Sequence, residues 1–373
     1  MLITQKKDLE KYETGHRIWQ GIPSIERTQR GRLFAAFYSG GIKEQAGNYC
    51  MLVKSDDDGV TWTEPIAVAY KNEQYRCYDQ CLWIDPLGRL WFIWSLAPEH
   101  AVYAAICENP DADELVWGKE FAIGNDLMLN KPTVLSDGSW IFPITVWDKD
   151  VFVVFKTKTE HSGPFVYKTV DGGKSFERLG CPNVENRSFD EHMIVEMKDK
   201  SLMMLIRTSY GIGKSYSYDG GKTWTDACDS KIPGPNARFH IKRLRSGRIL
   251  LINHYNFTDR NNLTALLSED DGKTWAYSLL IDERESVAYP DAVETDDGKI
   301  YIIYYRERGS FKNSYEEAHA CAREILMAKI TEDDIIHGKI VSEGSRLKCI
   351  VSELGDFDGN ADALYEKKEN KNE

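Results

Sequence analysis

Four residues able to move protons, attack carbon or hold an anion recur at one phase of this chain. Asp79, Glu191, Arg238 and Tyr289 each stand nine residues before a short turn phrase, and Ile22 and Leu129 hold the same place before two further copies. Alternation of side chains along a strand adds the same-face neighbours Lys131, His240 and Asp291, with His192 beside Glu191. Any one of these, buried, would ordinarily just hydrogen-bond to its surroundings. Acids, imidazole, phenol and guanidinium in one phase point instead to a site with tuned proton affinities. The sequence therefore predicts a ring of Asp79, Lys131, Glu191, Arg238, His240, Tyr289 and Asp291 around one axis.

The elements that must position this ring are written in two repeats. The turn phrase occurs as Arg30-Gly31-Arg32-Leu33, Leu87-Gly88-Arg89-Leu90, Asp137-Gly138-Ser139-Trp140, Asp199-Lys200-Ser201-Leu202, Ser246-Gly247-Arg248-Ile249 and Asp297-Gly298-Lys299-Ile300. A spacing of roughly 50 to 60 residues marks an array of supersecondary units. Each copy reads as the hairpin between the first two strands of a unit, with Gly supplying a positive φ. Six such units without intervening helices predict an all-β fold, a six-bladed β-propeller. The strand before each hairpin is then innermost, and its channel end presents the ring.

A second phrase runs in phase with the first. Ser55-x-Asp57-x-Gly59-x-Thr61-Trp62 recurs as Thr169 to Phe176, Ser217 to Trp224 and Ser268 to Trp275. Its Asp can accept backbone N–H bonds, its Gly can turn the chain, and its aromatic residue can pack beneath the sheet. Asn109 to Trp117 occupies the place of a decayed copy. An open ring would leave an exposed sheet edge, so the chain ends are expected to close one blade jointly, with Ile325–Ile330 in the closing region.

A chain of 373 residues, 42% hydrophobic and 12% aromatic, can bury a large sheet-rich core. The continuous repeat predicts a single domain over 1–353, followed by a charged tail, 354–373. A net charge of −12 argues against nucleic-acid or membrane-surface partners, though an anionic sugar needs only a local arginine cluster. No apolar run has signal-peptide or bilayer-spanning length, and the eight cysteines are scattered, so free thiols in a cytoplasmic protein are expected. Cys77 and Cys81 have no second Cys or His pair, and nothing calls for a metal or another cofactor. The run Asp356-x-Asp358-Gly359-Asn360-x-Asp362 has an acidic spacing, but Lys367 stands where a calcium loop needs a bidentate Glu, so it reads as a solvated turn. Tyr315–Ala320 has helix-forming character and reads as a loop insertion in the last blade.

The second phrase resembles the Asp box, or bacterial neuraminidase repeat, of the sialidase superfamily, and the resemblance covers about Ile18 to about Val341. The box speaks to fold rather than activity. The resemblance implies a carbohydrate substrate and a retaining glycosidase whose nucleophile is Tyr, because the carboxylate of sialic acid would repel an anionic one. It further implies a Glu that takes the phenol proton, an Asp acid/base and three Arg for the substrate carboxylate. Tyr289-Pro290-Asp291, Glu191, Arg207 and Arg260 match the Tyr, the Glu and two of the Arg. Gln20-Gly21-Ile22-Pro23 stands where the family has Arg-Ile-Pro, and Gln does not replace a bidentate Arg. For the acid/base the candidates are Glu44, in Lys43-Glu44-Gln45, and Asp79.

The reading is a divergent exo-acting glycosidase on a sialic or uronic sugar. Arg207, Arg238 and Arg260 are its anion-binding residues, with His192, His240, Lys131, Gln20 and Asp291 as further substrate contacts. Two alternatives stay open. In a uronic-acid-directed lyase, a His or Tyr289 would abstract a proton while Arg238 or Lys131 neutralises the carboxylate. A non-catalytic carbohydrate-binding propeller would need neither Tyr289 nor Glu191. The residues name neither the sugar, the linkage nor the oligomeric state.

Overall fold

The computed structural model describes residues 1–147, 162–309 and 320–359. Six antiparallel sheets follow one another along the chain, with strands in sequence order in all but the first, whose outer edge is an N-terminal strand. Together they form the six-bladed β-propeller expected from the turn phrases. The innermost strands are Gly21–Arg27, Arg76–Ile84, Thr133–Val134, Arg187–Glu196, His240–Arg243 and Val287–Glu294. Each leads into its hairpin through a residue of positive φ: Gly31, Gly88, Gly138, Lys200, Gly247 and Gly298. Lys200 adopts φ 72° with a side chain in place, a left-handed conformation that disfavours L-residues.

The second phrase closes the turn between the third and outermost strands. Asp57 accepts N–H bonds from Val60 (3.1 Å) and Thr61 (2.9 Å) and the Thr61 hydroxyl (2.6 Å), while Ser55 accepts from Gly59 N (2.8 Å). Asp171, Asp219 and Asp270 repeat the arrangement. In the decayed copy, Trp117 still bridges to Cys107 and packs near Phe92, 6.2 Å between ring centres. The last blade uses a different device. A short helix, Glu332–His337, is capped reciprocally by Thr331 and Asp334 and ended by Gly338 at φ 64°.

Closure corrects one expectation. Among the described residues, the N- and C-terminal segments do not share a blade. Leu2–Ile3 joins the outer edge of the first sheet, and all four strands of the last blade come from Val287–Glu353. Ile325–Ile330 lies in that blade's third strand. Contacts between blades seal the ring instead. Gln20 donates to the carbonyls of Arg323 (2.8 Å) and Ser352 (3.0 Å), and Ser24 Oγ donates to Asp291 (2.6 Å). Cys50, Cys77, Cys81, Cys107, Cys228 and Cys349 are free thiols. The 315–319 part of the expected insertion, and the tail beyond 359, lie outside the described residues.

The feature that builds the site is a bulge. Four innermost strands slip register at the residue nine places before the hairpin, between Gly21 and Ser24, Tyr78 and Cys81, Asp190 and Met193, and Ala288 and Asp291. At these slips Ile22, Asp79, Glu191 and Tyr289 take φ values of 53°, 47°, 40° and 59°. A bulge re-aims the side chain that it carries. A non-glycine residue held at positive φ costs on the order of 1–3 kcal/mol, and such residues concentrate at functional sites.

Candidate active site

Tyr289, Glu191 and Arg207 form a closed triangle at the channel end where the innermost strands begin. The Tyr289 hydroxyl donates to Glu191 Oε1 (2.8 Å), Arg207 Nη1 donates to Glu191 Oε2 (2.8 Å), and the same nitrogen lies 3.0 Å from the phenol oxygen. All three side chains are buried. Burial and the Glu191 charge push the Tyr289 pKa well up, while Arg207 and Arg260 oppose the rise. A free phenolate is therefore disfavoured, and the carboxylate placed to accept the phenol proton is Glu191. Burial disfavours the Arg207 charge, but Glu191 and Tyr289 more than offset that, so it stays cationic. Its Nε donates to Asn236 Oδ1 (2.6 Å), which fixes the plane of the guanidinium.

Two further guanidinium groups act electrostatically on Tyr289. Arg260 lies 5.6 Å from the Tyr289 ring centre and makes no ion pair among the described residues. Its hydrogen bonds, to Tyr305 OH and Asn236 O, are both long at 3.4 Å. Arg308 acts electrostatically on Tyr289, packs over Tyr305 (5.4 Å) and pairs with Glu44 (2.7 Å). No motif marks Arg308. The one hint is Gly21: a Cβ there would meet Arg308 Cδ at 2.3 Å, so the arginine fills the space left where the family pattern has its own.

The two candidate proton donors separate by environment. Burial raises the pKa of Asp79 to about 7, with Glu44 and Glu191 adding to the rise and Arg76 and Arg308 opposing it. One of its carboxylate oxygens is buried without a hydrogen-bond partner. Glu44 goes the other way. Burial is outweighed by Arg308 and Arg76, and its pKa falls to about 2. Glu44 also accepts from Tyr38 OH and lies 3.4 Å from Arg76. Glu44 is thus a fixed anion that orients arginines, whereas Asp79 can give or take a proton near neutrality.

The rest of the predicted ring is not at this end. The bulge at Tyr289 breaks the alternation, so Asp291 falls into a deeper layer. There Lys131 Nζ is used by Ile25 O (2.7 Å), Leu82 O (2.6 Å), Glu26 (2.8 Å) and Asp291 (3.1 Å). His240 Nδ1 sits 3.1 Å from Asp291, and fully buried Arg238 donates to Asn130 Oδ1 (2.7 Å) and Leu129 O (3.3 Å). Burial favours the neutral acid at Asp291, but Lys131, His240 and Arg238 prevail and hold it well below the usual range. His192 bonds Phe165 O (2.8 Å), and burial drives its pKa to about 4. Gln20 ties the N-terminal segment to the last blade. Gln20, His192, Arg238 and Asp291 thus bond or pair within the protein, away from the Tyr289 triangle, while Lys131 and His240 also line a separate cavity of about 500 Å³ that includes none of Tyr289, Glu191 and Arg207. Asn130 links the layers by donating to the carbonyls of Glu191 (2.8 Å) and His192 (3.1 Å), holding the strained Glu191 backbone in place.

Comparison with known proteins agrees with this architecture. Residues 31–302 match the BNR repeat-like domain family. The chain is 23% identical to a sialidase of Bacteroides fragilis (strain YCH46), across 76% of this chain and 59% of that protein. Among solved structures it resembles a leech intramolecular trans-sialidase, TM-score 0.64 at 14% identity, covering 88% of this chain and 70% of the other. It also resembles a Hadza microbial sialidase, TM-score 0.60 at 18% identity, covering 78% and 64%. The chain therefore spans less than two thirds of the length of the B. fragilis and Hadza relatives.

Proposed function

The chain belongs to the BNR repeat-like domain family, within the sialidase superfamily, and from that premise we propose that it is an exo-acting retaining glycosidase for a carboxylate-bearing sugar, sialic or uronic. The observation that carries this reading is the Tyr289–Glu191–Arg207 triangle. In the proposed reaction, Asp79 protonates the leaving-group oxygen while Tyr289 attacks the anomeric carbon and passes its proton to Glu191. Water, deprotonated by Asp79, then cleaves the glycosyl–tyrosine bond, and the phenol recovers its proton from Glu191. Arg207, Arg260 and Arg308 receive the sugar carboxylate, which a neutral phenol approaches without charge repulsion.

Tyr289→Phe is expected to lower kcat by about 10³-fold or more with the fold intact, since the Glu191–Arg207 pair remains. A lyase would leave an unsaturated product absorbing near 230 nm, whereas hydrolysis leaves none. Retained turnover in Tyr289→Phe, or a product with that absorbance, would overturn the hydrolase reading.

A further inference from the structure

The N-terminal segment against the first blade holds an arginine that the proposed chemistry does not use. Arg17 is only 3% exposed, yet among the described residues it forms no ion pair. Its Nη1 donates to Gln20 Oε1 (3.2 Å) and contacts Met51 Sδ (2.7 Å), and Nη2 donates to Thr14 Oγ1 (3.2 Å). Phe37 lies under the guanidinium, 5.5 Å from ring centre to Cζ, and Nε has no partner. Thr14 is itself bonded to Glu64 (2.8 Å), so the nearest formal negative charge is one hydroxyl away. Burial pulls the Arg17 pKa down, but a guanidinium does not give up its proton in proteins. A buried cation without a counter-ion is strongly unfavourable.

Beside Arg17 is a cavity of about 200 Å³, lined by Tyr12, His16, Tyr49, Tyr70, Glu73 and both ends of the loop over residues 40–47. The Tyr12 hydroxyl, on a residue 4% exposed, is buried there without a partner. Tyr12 and Tyr49 meet edge to face at 4.6 Å, and Lys11 Nζ stands 5.0 Å over the Tyr12 ring. Glu73, the acid on this wall, accepts from Tyr70 OH (2.7 Å). The space is large enough for a small hydrated anion such as a carboxylate or sulfate.

We propose that this cavity is a second anion site, in which Arg17 and the Tyr12 hydroxyl hold a carboxylate or sulfate group. Two sources share that chemistry: a free anion, or an acidic residue further along a polymeric substrate. The second source rests on the glycosidase reading; the site itself does not. The loop over 40–47 forms one wall of the cavity and carries Glu44, the partner of Arg308 and Arg76, so an occupant would touch the element that orients those arginines.

The test is thermal unfolding of the full chain in sodium sulfate against sodium chloride at matched ionic strength, for wild type and Arg17→Met. Sulfate stabilises proteins generally, and the channel arginines are common to both chains, so the difference between the two shifts is the readout. The proposal expects the wild-type shift to exceed that of Arg17→Met by about 2 °C or more, with the variant no less stable than wild type in chloride. Equal shifts would overturn it. Should Arg17→Met fail to fold, wild-type crystals soaked in bromide decide: anomalous density beside Arg17 supports the site, and none refutes it. A raised KM for an acidic oligosaccharide, with that for an aryl monosaccharide unchanged, assigns the anion to substrate; unchanged KM for both assigns it to a free ion. The sulfate arm reads no turnover, so it stands or falls apart from the glycosidase reading.

Discussion

Replacing Asp79 by Asn should make the protein more stable and much less active, with a gain in stability that grows with pH. The side chain is 8% exposed, one carboxylate oxygen lacks a partner, and burial raises its pKa from 3.8 to about 7. At about 1.36 kcal/mol per unit, ionising Asp79 in the folded state costs about 4 kcal/mol more than in the unfolded chain. Because the folded value is the raised one, this contribution to stability is fully present below the unfolded pKa and is lost as pH rises through about 7. Between about pH 5 and about pH 8 the wild type should therefore lose about 2.5 kcal/mol through this group alone, a loss that Asn cannot suffer. Urea unfolding of both proteins at the two pH values measures the difference directly. The same ionisation should set the alkaline limb of kcat/KM near pH 7, where the proton donor is lost. A gap between wild type and Asp79→Asn that does not change with pH would refute the reasoning. So would an alkaline limb unrelated to the stability change.

Gly21→Ala places a Cβ against the Arg308 side chain; KM for an anionic substrate should rise about ten-fold with little change in Tm, and an unchanged KM would remove Arg308 from the site. Lys200→Gly relieves the one side chain forced to φ 72° among the six hairpins, and should stabilise the fold by about 0.5–1 kcal/mol in chemical denaturation. Arg260→Ala should raise KM with little loss of stability, since that guanidinium has no ion pair among the described residues, and a Tm fall of more than about 4 °C would show a structural role instead.

What was legible in the sequence was what local chemistry determines. Turn residues specify their own hairpins, so the six phrases around Gly31, Gly88, Gly138, Lys200, Gly247 and Gly298 located every blade, and counting back nine residues reached Asp79, Glu191 and Tyr289. The bulges were hidden, because Ile22, Asp79, Glu191 and Tyr289 are not glycines and nothing local signals positive φ there. Carried through a bulge, strict alternation put Asp291 level with Tyr289 and merged two layers into one ring. Arg308 was hidden for another reason. It reaches Glu44, more than 250 positions earlier, from a loop, and only Gly21 where an Arg was expected hinted at a displaced partner. The Thr331–Asp334 cap is a readable helix start, overshadowed by the apolar strand before it.

The central claim is that Tyr289 is the nucleophile and Glu191 its base. It is tested most directly by quenching the enzyme during turnover of an activated aryl glycoside of an acidic sugar and sequencing its peptides by mass spectrometry. The account predicts a glycosyl group on the phenol of Tyr289, no such adduct when Glu191 is replaced by Gln, and a first product that retains the anomeric configuration of the substrate. Turnover with an unmodified Tyr289 and an inverted first product would contradict it.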